Sequence, residues 1–249
     1  MLQQQKAISS YNGISKRSNN KSKIKPSAVD SNSMQHQLHA CVHEPACMQH
    51  KLASSTCMVG QTMSESVLQF WFHGPGKGKH YWAGGAEQQK ELDDRIRSEH
   101  GEQVEAAAAG ALTQEWSRTA RGSLALIILL DQWSRNIYRD TPKAFAQDSL
   151  AQQVCVDGIA RGQHMELSDE PTDSTGSSMR QMFLIPLFHA ERVELLARGL
   201  ELLPLAKYTW GIEQYAKKRI AEVEQFGRVP SRNKAKGLES TPEERAAGY

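Results

Sequence analysis

Three motifs that would assign an enzymatic class are missing from this chain of 249 residues. It contains no HExxH zinc motif, no GxSxG serine elbow and no GxxxxGK[ST] phosphate loop; the glycine-rich GPGKGK after His73 lacks the spacing and the final Ser or Thr. Long apolar runs are also missing, because the longest, Leu124–Leu130, is far shorter than the roughly 18 residues that a membrane span needs. The sequence therefore predicts no membrane span, and it contains none of these common motifs for nucleotide binding or hydrolysis.

Cysteine is scarce, with four in the chain. Three of the four lie within residues 41–57, in and just after the run HACVHEPACMQH, where histidines are interleaved with them. Their spacing does not repeat the paired CxxC of a zinc site, which favours a chance bias of composition over a soft-ligand metal cluster. Cys155 stands alone in a helical pattern and is predicted to be a buried hydrophobe. We expect no disulfide framework, no metal site and no cofactor.

Charge is unevenly distributed along the chain. Residues 1–60 contain seven Lys or Arg and two acids, a net charge of +5, so the total of +2 leaves −3 for the rest. Residues 1–63 are rich in Ser, Gln, Asn and Lys and lack apolar periodicity, which predicts a disordered basic tail. Few acids with scattered Lys and Ser are also typical of an organelle transit peptide. We expect a soluble intracellular protein, cytoplasmic or organellar, whose acidic body has no specific nucleic-acid partner.

The remainder, residues 64–249, shows the periodicity of helices and almost none of strands. In the run RGSLALIILLDQWSRNIYR, Leu126, Leu130, Trp133 and Ile137 can share one buried face of a helix. Helical patterns also occupy about 87–99, 102–110, 147–161, 180–203 and 207–226, with predicted helix starts at Ser64, Thr141 and Thr241. The body is therefore predicted to be all-α.

Two interruptions limit how these helices can be joined. Residues 166–178 are polar and rich in helix breakers, so they predict a surface loop that could cover a site. Pro186 should kink its helix or mark the junction of two shorter ones. Antiparallel helices with short connections form either a closed bundle or a stack of helical hairpins, and no literal repeat period decides between them.

Four blocks carry a family resemblance: VLQFWF, LALIILLDQWSRNIYRDTPKAFAQD, IPLFHAE and FGRVPSRNKAKGLESTPEE. In order and spacing they resemble the domain of unknown function 924 family over about residues 64–244. The resemblance implies a tetratricopeptide-like fold, in which antiparallel helical hairpins stack in a right-handed arrangement. It implies no established biochemical activity.

The resemblance also marks the positions that are characteristic of the family, most of which are polar. On this sequence they fall on Asp131, Arg135, Asn136, Arg139, His189, Glu191, Gly227, Arg228, Pro230, Arg232 and Asn233. Two positions depart from the family pattern, because relatives usually have His in place of Ser231 and often Ser in place of Ala190. Any chemistry that those side chains perform in relatives is lost here.

Asp131 and Arg135 are one helical turn apart, which permits two interpretations. They can form an exposed ion pair worth about 0.3–0.5 kcal/mol. Alternatively they lie near the core, where the Asp needs a partner and the planar guanidinium suits a carboxylate or phosphate. His189 is likewise open to a structural role or to proton transfer. On an ideal helix His189 and Glu191 would point roughly 200° apart.

The polar residues support two functional hypotheses. The leading one is a binding domain for an anionic small molecule or a peptide carboxylate, with a pocket lined by Asp131, Arg135, Asn136, Arg139, Arg228, Arg232 and Asn233. The alternative is a metal-independent enzyme of hydrolase or transferase type. There His189 is the general acid or base, Asp131 or Glu191 orients it, and arginines stabilise negative charge. The enzyme hypothesis gains if His189 lies within hydrogen-bond reach of an acid and faces the arginines. The oligomeric state is not indicated.

Overall fold

A computed structural model of the chain describes residues 63–74, 85–170, 178–206 and 211–249. These residues belong to one compact unit, residues 49–249. They form helices joined by turns, with no strand among them, which confirms the predicted all-α class. Within these ranges, no helix combines the length and the apolarity that a membrane span requires. The predictions for residues 1–62, including the disordered tail and its Cys and His residues, lie outside the described ranges.

The helices are numbered in chain order. Helix α1 comprises residues 63–73, followed by α2 (Ala86–Ala108), α3 (Thr113–Trp116) and α4 (Ala120–Ile127). Helix α4 continues through a π-helical segment (Ile128–Trp133) into α5 (Ser134–Ile137). Then come a 3-10 turn (Pro142–Phe145), α6 (Asp148–Ala160), α7 (Gln163–Glu166), α8 (Met179–Phe188) and α9 (Val193–Leu202). The last elements are a 3-10 turn (Leu203–Leu205), α10 (Ile212–Phe226), a 3-10 turn (Pro230–Arg232), α11 (Asn233–Lys236) and α12 (Pro242–Ala246).

The continuous stretch from α4 through the π-helical segment to α5, called the central helix below, lies in the middle of the hydrophobic core. Every residue of Leu124–Leu130 is fully buried, as is Trp133. Helix α2 packs against the π-helical segment and α5, whereas α6 and α8 pack against α4. Because several helices cover it, the central helix is buried around its circumference rather than on the single predicted face. A helix in that position needs an uninterrupted apolar run.

Two predicted helices have different boundaries in the structure. Helix α2 is one helix where the sequence predicts two, because Gly101 lies in mid-helix with open space beside its Cα and does not break it. The helix predicted at residues 180–203 is two helices, α8 and α9, separated by residues 189–192. Pro186 lies inside the last turn of α8, and the helix ends at Phe188. Proline lacks the N–H that would bond to the carbonyl four residues earlier, which weakens the last turn of the helix.

The predicted helix start at Thr241 is confirmed by a reciprocal capping box. The Thr241 hydroxyl accepts a hydrogen bond from the Glu244 N–H, and the Glu244 side chain accepts one from the Thr241 N–H.

Helices α8, α9 and α10 pack against one another in chain order, as consecutive helical hairpins do. Their tetratricopeptide-like stacking stays a prediction.

Replacing Gly158 with alanine is expected to lower the free energy of unfolding by about 1–3 kcal/mol. A Cβ at this position in α6 would lie 2.5 Å from Phe183 Cζ and 2.8 Å from Gln163 Oε1. The Phe183 ring is fully buried, so a shift of the ring would disturb a close-packed core. The matched control is Gly101→Ala in α2, where no atom lies within 4 Å. Alanine is the better helix former, so this control should be stabilised by up to about 1 kcal/mol. Urea unfolding of both variants checks the pair, and equal changes would contradict the packing argument.

Candidate active site

Asp131 and His189, two of the polar residues predicted from the sequence, form a close pair. His189 Nδ1 lies 2.9 Å from each carboxylate oxygen of Asp131. The Asp131 side chain is 1% exposed and that of His189 is 15% exposed. Within the described ranges, the other ring nitrogen of His189, Nε2, has no hydrogen-bond partner. One edge of the imidazole is therefore fixed by a buried carboxylate, and the other is unengaged.

The π-helical segment carries Asp131, and the end of α8 carries His189. Asp131 lies in the π-helical segment, a wide-turn geometry that is frequent at functional sites. Its carboxylate also accepts a hydrogen bond from Gln132 Nε2, and its backbone carbonyl accepts one of 2.6 Å from Arg135 Nη1. His189 is the C-cap of α8, where its N–H donates to the Ile185 carbonyl at 3.1 Å. The break after Pro186 thus ends the helix at the residue that reaches Asp131.

Burial and neighbouring charges set the protonation of this pair. Burial by itself would raise the pKa of Asp131, but Arg135 and His189 outweigh it and hold that pKa well below its usual range. Burial is the largest influence on the pKa of His189 and lowers it below 6.5. Asp131 opposes that shift, whereas Arg135 and Arg232 reinforce it. At neutral pH the pair is therefore a carboxylate and a neutral imidazole.

Those protonation states decide which tautomer His189 adopts. An ionised carboxylate has no proton to donate, so Nδ1 must carry the proton that it shares with Asp131. A neutral imidazole has only one N–H, which leaves Nε2 with its lone pair. The Tyr215 ring lies edge-on to the imidazole, with 6.3 Å between the ring centroids. An imidazole in this tautomer can accept a proton at Nε2.

Ion pairs of alternating sign extend from Asp131 to the C-terminal block. Arg135 lies 3.1 Å from Asp131 Oδ1, and its Nη2 lies 2.8 Å from Asp148 Oδ1 without the alignment of a hydrogen bond. Arg232 follows, 3.7 Å from Asp148 and 3.2 Å from Glu191, and it donates to the His189 carbonyl at 2.9 Å. The network ends where Lys236 meets Glu191 at 2.9 Å. Three carboxylates and three cations therefore balance one another.

The ring of Phe145 lies among the cations of this network. The guanidinium carbons of Arg135 and Arg232 are 5.4 and 5.2 Å from its centroid, and Lys236 Nζ is 5.6 Å away. Cations at such distances are attracted by the ring quadrupole. Arg135 and Arg232, 97 positions apart in the numbering, thus meet at one acid and one ring. The exposed ion-pair interpretation of Asp131 and Arg135 is wrong, because their side chains are only 1% and 13% exposed.

Asn136 and Arg139, also predicted for the site, turn instead toward helix α2. Both bind Asp93: Asn136 Nδ2 donates to Oδ1 at 2.7 Å, and Arg139 makes two hydrogen bonds of 2.7 and 3.0 Å. Asp93 is buried, and it also accepts a hydrogen bond from Gln89. This cluster ties the end of the central helix to α2.

Arg228 and Asn233 belong to a third cluster, around Glu244. Arg228 reaches that carboxylate with hydrogen bonds of 2.7 and 2.8 Å, and Asn233 Nδ2 reaches it at 2.9 Å. The Arg228 guanidinium is the main cause that lowers the pKa of Glu244 to about 2. The single predicted pocket is therefore divided into three clusters, and of its arginines only Arg135 and Arg232 accompany the Asp131 and His189 pair.

Glu191, the second predicted catalytic residue, lies just beyond the end of α8 and binds Arg232 and Lys236. Asp131, the other acid proposed to orient the histidine, is the one that contacts it. No sequence pattern pointed to Asp148 or Phe145, although both lie in the block DTPKAFAQD that carries the resemblance. Lys236 was likewise present in the terminal block. Tyr215 lies in no such block, and only packing reveals it.

The two departures from the family pattern have simple surroundings. Ser231 is exposed, and its hydroxyl lies 3.3 Å from Arg219 Nη1. Ala190 is fully buried beside His189.

Among the described residues, no group of three or more His, Cys, Asp or Glu is arranged to hold a metal ion. A cavity of about 370 Å³ lies elsewhere and includes none of the predicted site residues; its lining is Ser64, Glu65, Thr119, Ala120, Arg121 and Glu166.

The fold and the site define an all-helical protein with a buried aspartate and histidine pair. Residues 67–247 match the model of a family described as a bacterial protein of unknown function, DUF924. The chain belongs to this family, as the four sequence blocks predict. It is also similar to a solved protein of unknown function from Agrobacterium tumefaciens, with 31% identity over 75% of this chain and 97% of that one and a TM-score of 0.60. No curated protein matches the chain.

Proposed function

We propose that the protein is an enzyme in which His189 Nε2 removes a proton from its substrate or from a water molecule. The observation that supports this most directly is the 2.9 Å contact between His189 Nδ1 and the buried Asp131 carboxylate, which leaves Nε2 unengaged. A carboxylate in that position fixes the tautomer and stabilises the imidazolium that forms when the proton arrives. His189 is the catalytic residue, and Asp131 orients it.

The surroundings favour a hydrolase or transferase reaction without a protein nucleophile. Within the described ranges, no Ser, Thr or Cys side chain hydrogen-bonds to His189. The group that loses the proton is then a water molecule or a substrate hydroxyl. Its O–H bond breaks, the proton goes to Nε2, and the oxygen forms a bond to the electrophilic carbon or phosphorus. The bond from that atom to the leaving group breaks, and the leaving group takes the proton back from Nε2.

Simple binding of an anionic small molecule or peptide carboxylate is the competing function. The convergence of Arg135 and Arg232 supports it. Their charges, however, are already neutralised by Asp131, Asp148 and Glu191. An incoming anion would have to displace a carboxylate of the protein, so the geometry supports proton transfer better than anion capture. An intracellular location, cytoplasmic or organellar, remains part of the proposal.

An untargeted metabolite assay tests the two functions against each other. The purified full chain, the His189→Gln variant and a no-protein sample are incubated with a cellular metabolite extract, and metabolites are followed by mass spectrometry. We expect at least one metabolite to be consumed by the wild-type protein and not by the variant. A metabolite that is retained by the protein but chemically unchanged would establish binding instead. If the wild-type protein consumes nothing, or if His189→Gln consumes as much, the enzymatic proposal is wrong.

A further inference from the structure

Arg135 contacts the carboxylates of the protein rather than an open surface. Its side chain is 13% exposed. Nη1 donates to the Asp131 carbonyl at 2.6 Å and lies 3.1 Å from the carboxylate of the same residue. Nη2 lies 2.8 Å from Asp148 on α6. The ring of Phe145 covers the guanidinium at 5.4 Å. Both terminal nitrogens of the guanidinium therefore contact aspartates of the protein, Nη1 at Asp131 and Nη2 at Asp148.

Asp131 contacts both Arg135 and the imidazole of His189. Its carboxylate forms an ion pair with Arg135 and hydrogen bonds with Gln132 and His189. Its backbone carbonyl accepts a further hydrogen bond from Arg135. A guanidinium that holds both the main chain and the side chain of an aspartate restricts the rotation of that carboxylate. The position of Arg135 thus determines the direction in which Asp131 presents its oxygens to His189 Nδ1.

We propose that Arg135 is a positioning residue that acts on His189 through Asp131 and does not bind the substrate. The inference rests on the proposed role of His189 as the base, and it assigns to Arg135 a part different from charge stabilisation in the transition state. Its consequence is confined to two properties of the imidazole. Arg135 keeps the proton on Nδ1, and it keeps the ring neutral.

Several other groups face His189, and they set what loss of Arg135 should do. Asp148 on α6 and Arg232 in the 3-10 turn act on it electrostatically, and Tyr215 on α10 meets its ring. With Arg135 removed, Asp131 and Asp148 lose their shared cation, and the imidazole loses a nearby positive charge. Fewer cations favour the protonated ring, so the pKa of His189 should rise. A freed Asp131 carboxylate should also fix the tautomer less strictly.

The test is nuclear magnetic resonance of the ¹⁵N-labelled full chain, in which long-range ¹H–¹⁵N correlations report the tautomer and the pKa of each histidine. The His189 signals are assigned by their loss in His189→Gln. In the wild-type protein we expect the Nδ1–H tautomer almost alone. In Arg135→Gln we expect a mixture of tautomers and a His189 pKa that is higher by about one unit.

Two further variants make the result specific. Arg139→Gln removes a guanidinium one turn further along the chain, which binds Asp93 and not Asp131; His189 should be unchanged in it. Arg135→Lys keeps the charge but loses the fork, so it should retain the pKa of His189 within about 0.3 units and still loosen the tautomer. It also provides the measurement if Arg135→Gln does not fold.

The proposal is overturned if the signals of His189 in the Arg135 variants match those of the wild-type protein, or if Arg139→Gln changes them equally. The measurement needs no substrate. An imidazole that responds as expected in a protein that consumes no metabolite would uphold the positioning role and reject the enzymatic function. The reverse pattern, with turnover that depends on His189 and an imidazole indifferent to Arg135, would place Arg135 elsewhere in the mechanism.

Discussion

Replacing His189 with glutamine is expected to reduce kcat/KM by about 10²–10⁴-fold for the substrate that the metabolite assay identifies, the range that a general base contributes. Glutamine cannot accept and return a proton at neutral pH. Its amide N–H can still donate to Asp131, so the buried carboxylate keeps a partner and the melting temperature should change little. Steady-state kinetics and thermal melting measure the two effects. The matched control is His73→Gln, because His73 is exposed at the end of α1; its activity should equal that of the wild-type protein.

The same base predicts the pH dependence of kcat/KM. The neutral imidazole is the active form, and the pKa of His189 is lowered from 6.5 by burial, with Arg135 and Arg232 adding to the effect against Asp131. Because the lowered pKa extends the neutral form to more acidic conditions, activity should persist below pH 6.5 and fall as the pH drops further. The acidic limb should be absent from the residual activity of His189→Gln. An acidic limb centred above pH 6.5 would contradict the assignment.

Replacing Asp131 with alanine is expected to destabilise the protein by about 3–5 kcal/mol, the usual cost of removing one partner of a buried ion pair. The substitution leaves Arg135 with one anionic contact fewer and leaves the His189 Nδ1 proton without an acceptor. Both lie in a region where water cannot replace the lost partner easily, since Asp131 is 1% exposed. A loss of that size is a large part of the roughly 5–15 kcal/mol that stabilises an ordinary domain.

Urea unfolding measures this loss, and Asp94→Ala provides the comparison. Asp94 on α2 is also an ion-paired aspartate, with Lys90 and Arg97, but its side chain is 48% exposed. Pairs of that kind contribute little to stability because water and salt screen them. We expect no large change in Asp94→Ala. If Asp131→Ala is no less stable than Asp94→Ala, the buried carboxylate is not an essential support of the central helix.

Much of this architecture can be derived from local patterns in the sequence. Helical periodicity predicts the all-α class, and it predicts one buried face for the central helix, which the structure buries around its whole circumference. The interruption near Pro186 follows from the N–H that proline lacks. The helix start at Thr241 follows from a threonine cap followed by a proline and two acids. Each of these patterns involves only a few neighbouring residues, so it can be recognised in the sequence without knowledge of the fold.

The site depended on the tertiary structure. The sequence alone identified Asp131, Arg135, His189 and Arg232 as candidates, but it grouped them with residues that belong to two other clusters. Asp131 and His189 are 58 positions apart, and each has several charged residues nearer in the chain. Which of these becomes a partner is decided by the packing of α6, α8 and the central helix and by the π-helical turn that carries Asp131. Residue type and spacing determined that polar side chains would have to be paired within an apolar helical core. Only the packing of distant helices, through contacts that no local pattern records, selected the pairs.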